Sequence, residues 1–168
     1  MPILAERPAC GHPQVTPSVD TSGHVETILS ERTTTLTYRG VKAVEQGFGV
    51  AFYRLEDLLH EMRKHADIPP SKLRRKKYFN ASYLVIDEVG FEAMDTADAG
   101  LFFRLISYRY GRGSTAITTN KSVKDWPGIF AGDEAMTAAI LDRLLHKCVV
   151  LNIRGRSCRL QDIERMIK

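Results

Sequence analysis

Cysteine is scarce in this chain and falls into no pattern. Cys10, Cys148 and Cys158 are an odd number without paired spacing in 168 residues, which argues against a disulfide framework and against a four-ligand zinc site. A reducing cytoplasm is the expected compartment. Cys10 and His12 can be drawn with His24 as metal ligands, but their spacing matches no common zinc motif. Long apolar runs are also missing. No stretch approaches the roughly 20 residues of a membrane span, and the start lacks a basic segment followed by an apolar signal core, so neither a membrane nor an export route is expected. No internal repeat is visible. What remains is a chain of one ordinary domain's length, able to bury a core without metal or disulfide help. Its net charge of +4 and pI near 9.0 favour acidic partners, nucleic acid among them.

Composition changes near Gly40. Residues 1–40 hold Pro2, Pro8, Pro13 and Pro17 among scattered Ser, Thr, Gly and His with no sustained apolar period, and read as mostly irregular. From Val41 on, helical and strand-like pieces alternate as in βα units. Val41 to Gln46 read as the tail of a helix stopped by Gly47, and Val50 to Tyr53 as a strand. Leu55, Leu58, Leu59 and Met62 lie at helical spacing, predicting a helix from Leu55 to His65 that Pro69-Pro70 closes off. One short helix is expected from Ser71 to Tyr78. Further on, Asp95 or Thr96 caps a helix with the apolar face Leu101, Phe102, Leu105 and Ile106, ending near Gly111 and Gly113. Ser114 to Thr118 read as a strand leading to Thr119-Asn120. Trp126, Ile129 and Phe130 anchor an irregular connection, a helix is expected from Asp133 to His146, a strand from Cys148 to Ile153, and a terminal helix over Asp162 to Ile167.

The most informative run is Tyr83-Leu84-Val85-Ile86-Asp87-Glu88. Four apolar residues in a row suggest a strand buried on both faces, as in parallel sheets, and the two acids then sit at its carboxyl end. Ligands bind at that edge of open α/β sheets, and P-loop nucleotidases place an Asp for Mg²⁺ and a Glu beside the attacking water there. A strand simply leaving the core into the polar turn at Val89-Gly90 fits the six residues as well.

Four blocks together carry a resemblance: Tyr83 to Gly90, Leu101 to Tyr110, Gly113 to Asn120 and Ala139 to His146. In this order they resemble the IstB-like ATP-binding proteins, DnaC-like AAA+ ATPases that assist the transposases of certain insertion sequences. The resemblance covers about residues 41–161. It implies an α/β fold, a P-loop NTPase (AAA+)-type parallel sheet flanked by helices and incomplete at the N-terminus, with residues 1–40 a non-family segment and 41–168 a partial ATPase domain. It implies ATP and Mg²⁺ as cofactors, and as partners DNA, the transposase of the same element and further copies of the chain. Residue by residue, it implies that Asp87 holds Mg²⁺, Glu88 polarises the attacking water, Asn120 senses the γ-phosphate, and Arg143 serves a neighbouring subunit's nucleotide. Taken by itself, Asn120 also fits a turn after a strand. Arg143, at the flank of its helix's leucine stripe beside Met136 and Ala139, also fits a surface pair with a nearby acid.

The chain departs from that family at one motif. A P-loop nucleotidase needs G-x-x-x-x-G-K-[ST], whose backbone N–H groups cradle the phosphates while the Lys and hydroxyl reach phosphate and Mg²⁺, and no such run occurs in the 168 residues. Where a buried strand, that loop and most of a helix belong, the chain offers Thr33-Thr34-Thr35-Leu36-Thr37-Tyr38-Arg39-Gly40, as if the usual segment were deleted or replaced by a shifted reading frame. Poor ATP binding is the expectation, together with a sheet short of its middle strand unless the threonine-rich stretch substitutes.

A last feature is the cluster Lys72, Arg74, Arg75, Lys76 and Lys77, five cations within six residues followed by Tyr78 and Phe79. It fits phosphate contacts with DNA and equally a solvated helix face. Arg154, Arg156, Arg159 and Arg165 add basic character near the end. Three functions are open on these grounds: a helper ATPase domain with impaired nucleotide binding, a non-enzymatic remnant that binds DNA or intact homologues, and an unrelated hydrolase built on Asp87 and Glu88, for which no further acid or histidine has a place beside the pair.

Overall fold

The computed structural model describes residues 25–29, 33–146 and 148–152, all within the compact unit Val19–Ile153. Cys10, His12, His24, the basic residues from Arg154 on and the helix expected over Asp162 to Ile167 lie outside the described residues. Among the described residues, five strands form one parallel sheet in the order β2-β3-β4-β1-β5. They are β1 (Val25–Leu29), β2 (Val50–Arg54), β3 (Tyr83–Val89), β4 (Ser114–Thr119) and β5 (Cys148–Asn152). The main helices are α1 (Thr33–Glu45), α2 (Leu55–Lys64), α5 (Thr96–Arg109) and α6 (Glu134–Leu145), with single-turn α3 (Pro70–Leu73) and α4 (Lys77–Asn80) before β3 and a 3-10 segment at Val123–Gly128.

The irregular segment expected over residues 1–40 is corrected at its end. Val25–Leu29 is a strand and Thr33–Glu45 a helix, so the boundary drawn at Gly40 falls inside α1. The threonine-rich stretch does not stand in for the middle strand; it begins the helix. That strand is β1, paired with β4 on one side and β5 on the other. The single helix expected from Ser71 to Tyr78 is likewise two separate turns, broken at residues 74–76, with Lys76 in extended backbone at φ −68° and ψ 145°. The chain between them stays in a turn, Arg75 N donating to Lys72 O at 3.1 Å and Lys76 N to Leu73 O at 3.0 Å.

β3 is buried as its apolar run requires. Leu84 and Ile86 join the larger core with Leu58, Met62, Phe102, Leu105 and Ile140. Tyr83 and Val85 point the other way, to a smaller core with Leu36 and Ala43 of α1 and Ala116 of β4. This is the period of two expected of a strand covered on both faces. Asp95 caps α5, its side chain accepting from Asp98 N at 2.7 Å, and Asp133 caps α6 by accepting from Met136 N at 2.8 Å. Each fully buried large apolar side chain on α5, such as Phe102 or Leu105, contributes about 1.5–3 kcal/mol relative to exposure.

Arg109, the last residue of α5, is buried at 2% exposure. Its Nε donates to Thr115 Oγ1 at 2.9 Å, Nη1 to the carbonyls of Ala81 and Phe79 at 2.8 and 3.2 Å, and Nη2 to Ser114 O at 2.6 Å. Burial lowers its pKa to about 10, which leaves it charged at neutral pH. A planar fork with five donors suits this place, because it fastens the chain entering β3 to the start of β4 through several carbonyls at once. Replacing Arg109 with Leu is expected to cost about 3 kcal/mol, read as a fall in unfolding free energy in urea, and Arg109→Lys is expected to recover only part of it.

Candidate functional site

All five strands are parallel, so their carboxyl ends form one edge. Register brings Ile28 and Leu29 of β1 beside Thr118 and Thr119 of β4, and Arg54 of β2 beside Asp87 of β3. Asp87, Glu88 and Asn120 therefore stand at the same edge, as expected of strands that end together.

Asp87 and Glu88 occupy a bulge. Ile86 pairs with Ile117 and Val89 with Thr119, so Asp87 and Glu88 together face the single residue Thr118. Glu88 adopts φ +64°, the left-handed region, in which a non-glycine residue costs roughly 1–2 kcal/mol. One side chain secures this backbone. Thr118 Oγ1 accepts from Glu88 N at 2.9 Å and donates to Asp87 Oδ1. The bulge separates the two acids: Asp87 is 5% exposed, whereas the Glu88 side chain is about half exposed and lies 3.7 Å from Arg54 Nε. A pair this exposed contributes little to stability. Behind Glu88, Gly90 has φ +87°, and a Cβ there would come within 2.6 Å of Ile129 Cδ1 and 3.0 Å of Lys121 Cγ, so only glycine fits both the backbone and the space.

Asn120 is exposed, directly after β4. Arg143, on α6, does not reach outward. Its guanidinium lies 4.9 Å from the centre of the Phe103 ring and Nη1 donates to Ala139 O at 2.6 Å. Sequence reading overlooked Thr118 and Arg54. Thr118 had a signal, a hydroxyl two residues before Asn120 on the strand expected beside the acids; Arg54 had none until β2 and β3 came into register.

The basic cluster lies at the opposite edge, on the turns that lead into the amino end of β3. Lys72, Arg74, Arg75 and Lys77 are exposed. Lys76 is half-buried, with Nζ 2.9 Å from His65 Nε2, and His65 Nδ1 is 2.9 Å from Tyr78 Oη. A lysine ammonium only donates, so Nε2 accepts and Nδ1 carries the proton given to Tyr78. Lys76 is thus committed to the fold in a way that Lys72, Arg75 and Lys77 are not.

A five-stranded parallel sheet with its P-loop-position strand between β4 and β5, and with acids and an asparagine at the carboxyl edge, is the AAA+ form of the P-loop ATPase fold. Among solved structures, the DnaC helicase loader is similar at a TM-score of 0.59 and 24% identity, over 79% of this chain and 80% of that one. DnaI is similar at a TM-score of 0.64 and 13% identity, over 80% of this chain and 76% of that one. Residues 31–165 match the family described as IstB-like ATP binding protein, and the chain belongs to that family. The match begins inside the segment expected to be foreign to it. The chain is 40% identical over 123 residues to the insertion sequence IS21 putative ATP-binding protein of Pseudomonas aeruginosa, a span covering 73% of this chain and 46% of the relative. It is 37% identical over 123 residues to the corresponding IS232 protein of Bacillus thuringiensis subsp. berliner, covering 73% and 49%. The chain spans about half the length of these curated relatives.

Thr118→Val keeps the shape and removes both hydrogen bonds at the bulge. It is expected to destabilise the fold by about 1–3 kcal/mol in chemical denaturation, with Thr118→Ser close to the parent.

Proposed function

We propose that this chain is a helper domain of insertion-sequence transposition whose nucleotide binding is impaired. The observation that carries the reading is the connection between β1 and α1. Only Ser30, Glu31 and Arg32 lie between Leu29 and Thr33, with no glycine and no lysine among them. A phosphate cradle needs a longer glycine-rich turn ending in Lys-[Ser/Thr] at this place. The donor set therefore fits a nucleotide only in part. Asp87 suits a Mg²⁺ ligand, Glu88 a water-orienting base and Asn120 a γ-phosphate sensor, but Mg²⁺ retains much of its water and binds poorly to one carboxylate without phosphates. On this reading the chain lacks the phosphate cradle that a tight ATP site requires. Arg143 would have to leave Phe103 and Ala139 O to serve a neighbouring copy.

A second reading has its own support. Among the described residues, Lys72, Arg74, Arg75 and Lys77 have no carboxylate within ion-pair distance, which favours a surface that neutralises DNA phosphates. On this reading the chain works in the cytoplasm with DNA, the transposase of its element and further copies of itself, without turning over ATP.

Calorimetric titration with Mg²⁺ and ATP is expected to give no tight binding. Replacing Ser30-Glu31-Arg32 with a Gly-x-x-x-x-Gly-Lys-Thr segment is expected to bring Mg²⁺-dependent binding, and Glu88→Gln in that chain to keep binding while lowering turnover roughly 10²-fold or more. Tight binding by the unmodified chain would overturn the reading. For DNA, changing Lys72, Arg75 and Lys77 together to Ala is expected to weaken binding to unrelated duplexes alike and to flatten the salt dependence by about 0.9 for each phosphate no longer neutralised.

A further inference from the structure

Arg112, outside the cluster that the sequence singles out, converges with Arg74 on one aromatic ring. The Arg112 guanidinium carbon is 4.6 Å from the centre of Tyr108 and that of Arg74 is 5.9 Å from it. Tyr108 is fixed in turn by an edge-on contact with Phe79 at 4.8 Å. Arg112 Nη1 also donates to Tyr108 O in the last turn of α5. That bond alone would be an ordinary helix-end interaction. It does not account for a second guanidinium, brought from the turn between α3 and α4 to the same ring. Like charges brought together repel, and among the described residues no carboxylate forms an ion pair with either. Stacking on tyrosine offsets some of that cost. An anion between the two forks would offset more, because guanidinium forks match phosphate oxygens.

We propose that Arg74 and Arg112, seated on Tyr108, form a pre-set grip for the phosphate backbone of DNA at the amino edge of the sheet. This deepens the DNA-binding reading above and rests on it. Because both side chains are already held on the ring, less rotamer freedom is lost on binding than for the free lysines around them. The grip stands at the opposite end of the strands from Asp87 and Asn120, so its phosphate contacts do not require an occupied nucleotide site.

The test uses the full chain and fluorescently labelled duplexes of two unrelated sequences, titrated between about 50 and about 200 mM salt. Arg112→Ala is expected to weaken both duplexes several-fold and to reduce the slope of log K against log salt by about 0.9. Arg112→Lys keeps the charge and is expected to hold the slope near the parent while still losing affinity, since an ammonium lacks the planar fork. Circular dichroism melts confirm that each variant is folded. An unchanged slope in Arg112→Ala, with a reduced slope in the Lys72, Arg75 and Lys77 triple variant, would overturn the grip and leave the DNA reading standing. Parent-like binding in all variants, or no salt-dependent binding by the parent, would overturn both.

Discussion

The sheet depends on backbone pairing along β1. A strand in the middle of a parallel sheet must have its N–H and C=O groups matched on both sides, because no water reaches them there. Val25–Leu29 meets that demand, in register with Thr115 to Thr119 of β4 and Cys148 to Asn152 of β5. The arrangement of the carboxyl edge follows. With β4 held against β1, Thr118 is fixed beside β3, where it can hold Asp87 and the amide of Glu88. Pairing of this kind asks little of side-chain identity, which is why a strand can occupy this position in a chain that lacks the loop motif of its family.

α5 links the two edges of the sheet. It starts after β3, near the acids, with Asp95 as its cap and Asp98 in its first turn. It ends before β4 at the opposite edge, with Arg109 buried beneath the entry to β3 and Arg112 on Tyr108. Acids at the amino end and cations at the carboxyl end both complement the helix dipole. Asp98 is also tied to α2, accepting from Arg63 Nε at 2.7 Å. The helix that separates the acidic edge from the basic one is therefore anchored at each end by charge-assisted bonds to different neighbours.

Three backbone irregularities adjoin one another at the acidic edge. The β3 bulge, Glu88 at positive φ and Gly90 against Ile129 and Lys121 follow one another within a few residues. The strain is held by Thr118 from the neighbouring strand and not by local sequence, as is common where a fold aims side chains for chemistry. The bulge and the left-handed Glu88 thus depend on a contact between strands, which the run from Tyr83 to Glu88 does not itself supply.

By itself, the sequence determined the order of the strands and longer helices from β2 to β5, the burial of β3 on both faces and the placement of acids at a strand's carboxyl end. Each of these follows from local periodicity, caps and breakers, which a short window of residues expresses. It also carried the family, through four blocks that occur in order within the matched residues 31–165. Only the tertiary structure decided that Val25–Leu29 is an interior strand, since five residues of mixed character are recognisable as such only once β4 and β5 offer partners on both sides. The same holds for the break between α3 and α4, for the attachment of Lys76 to His65, and for the meeting of Arg74 with Arg112. These depend on contacts between residues distant in the chain, and no local pattern encodes which distant residue will be there.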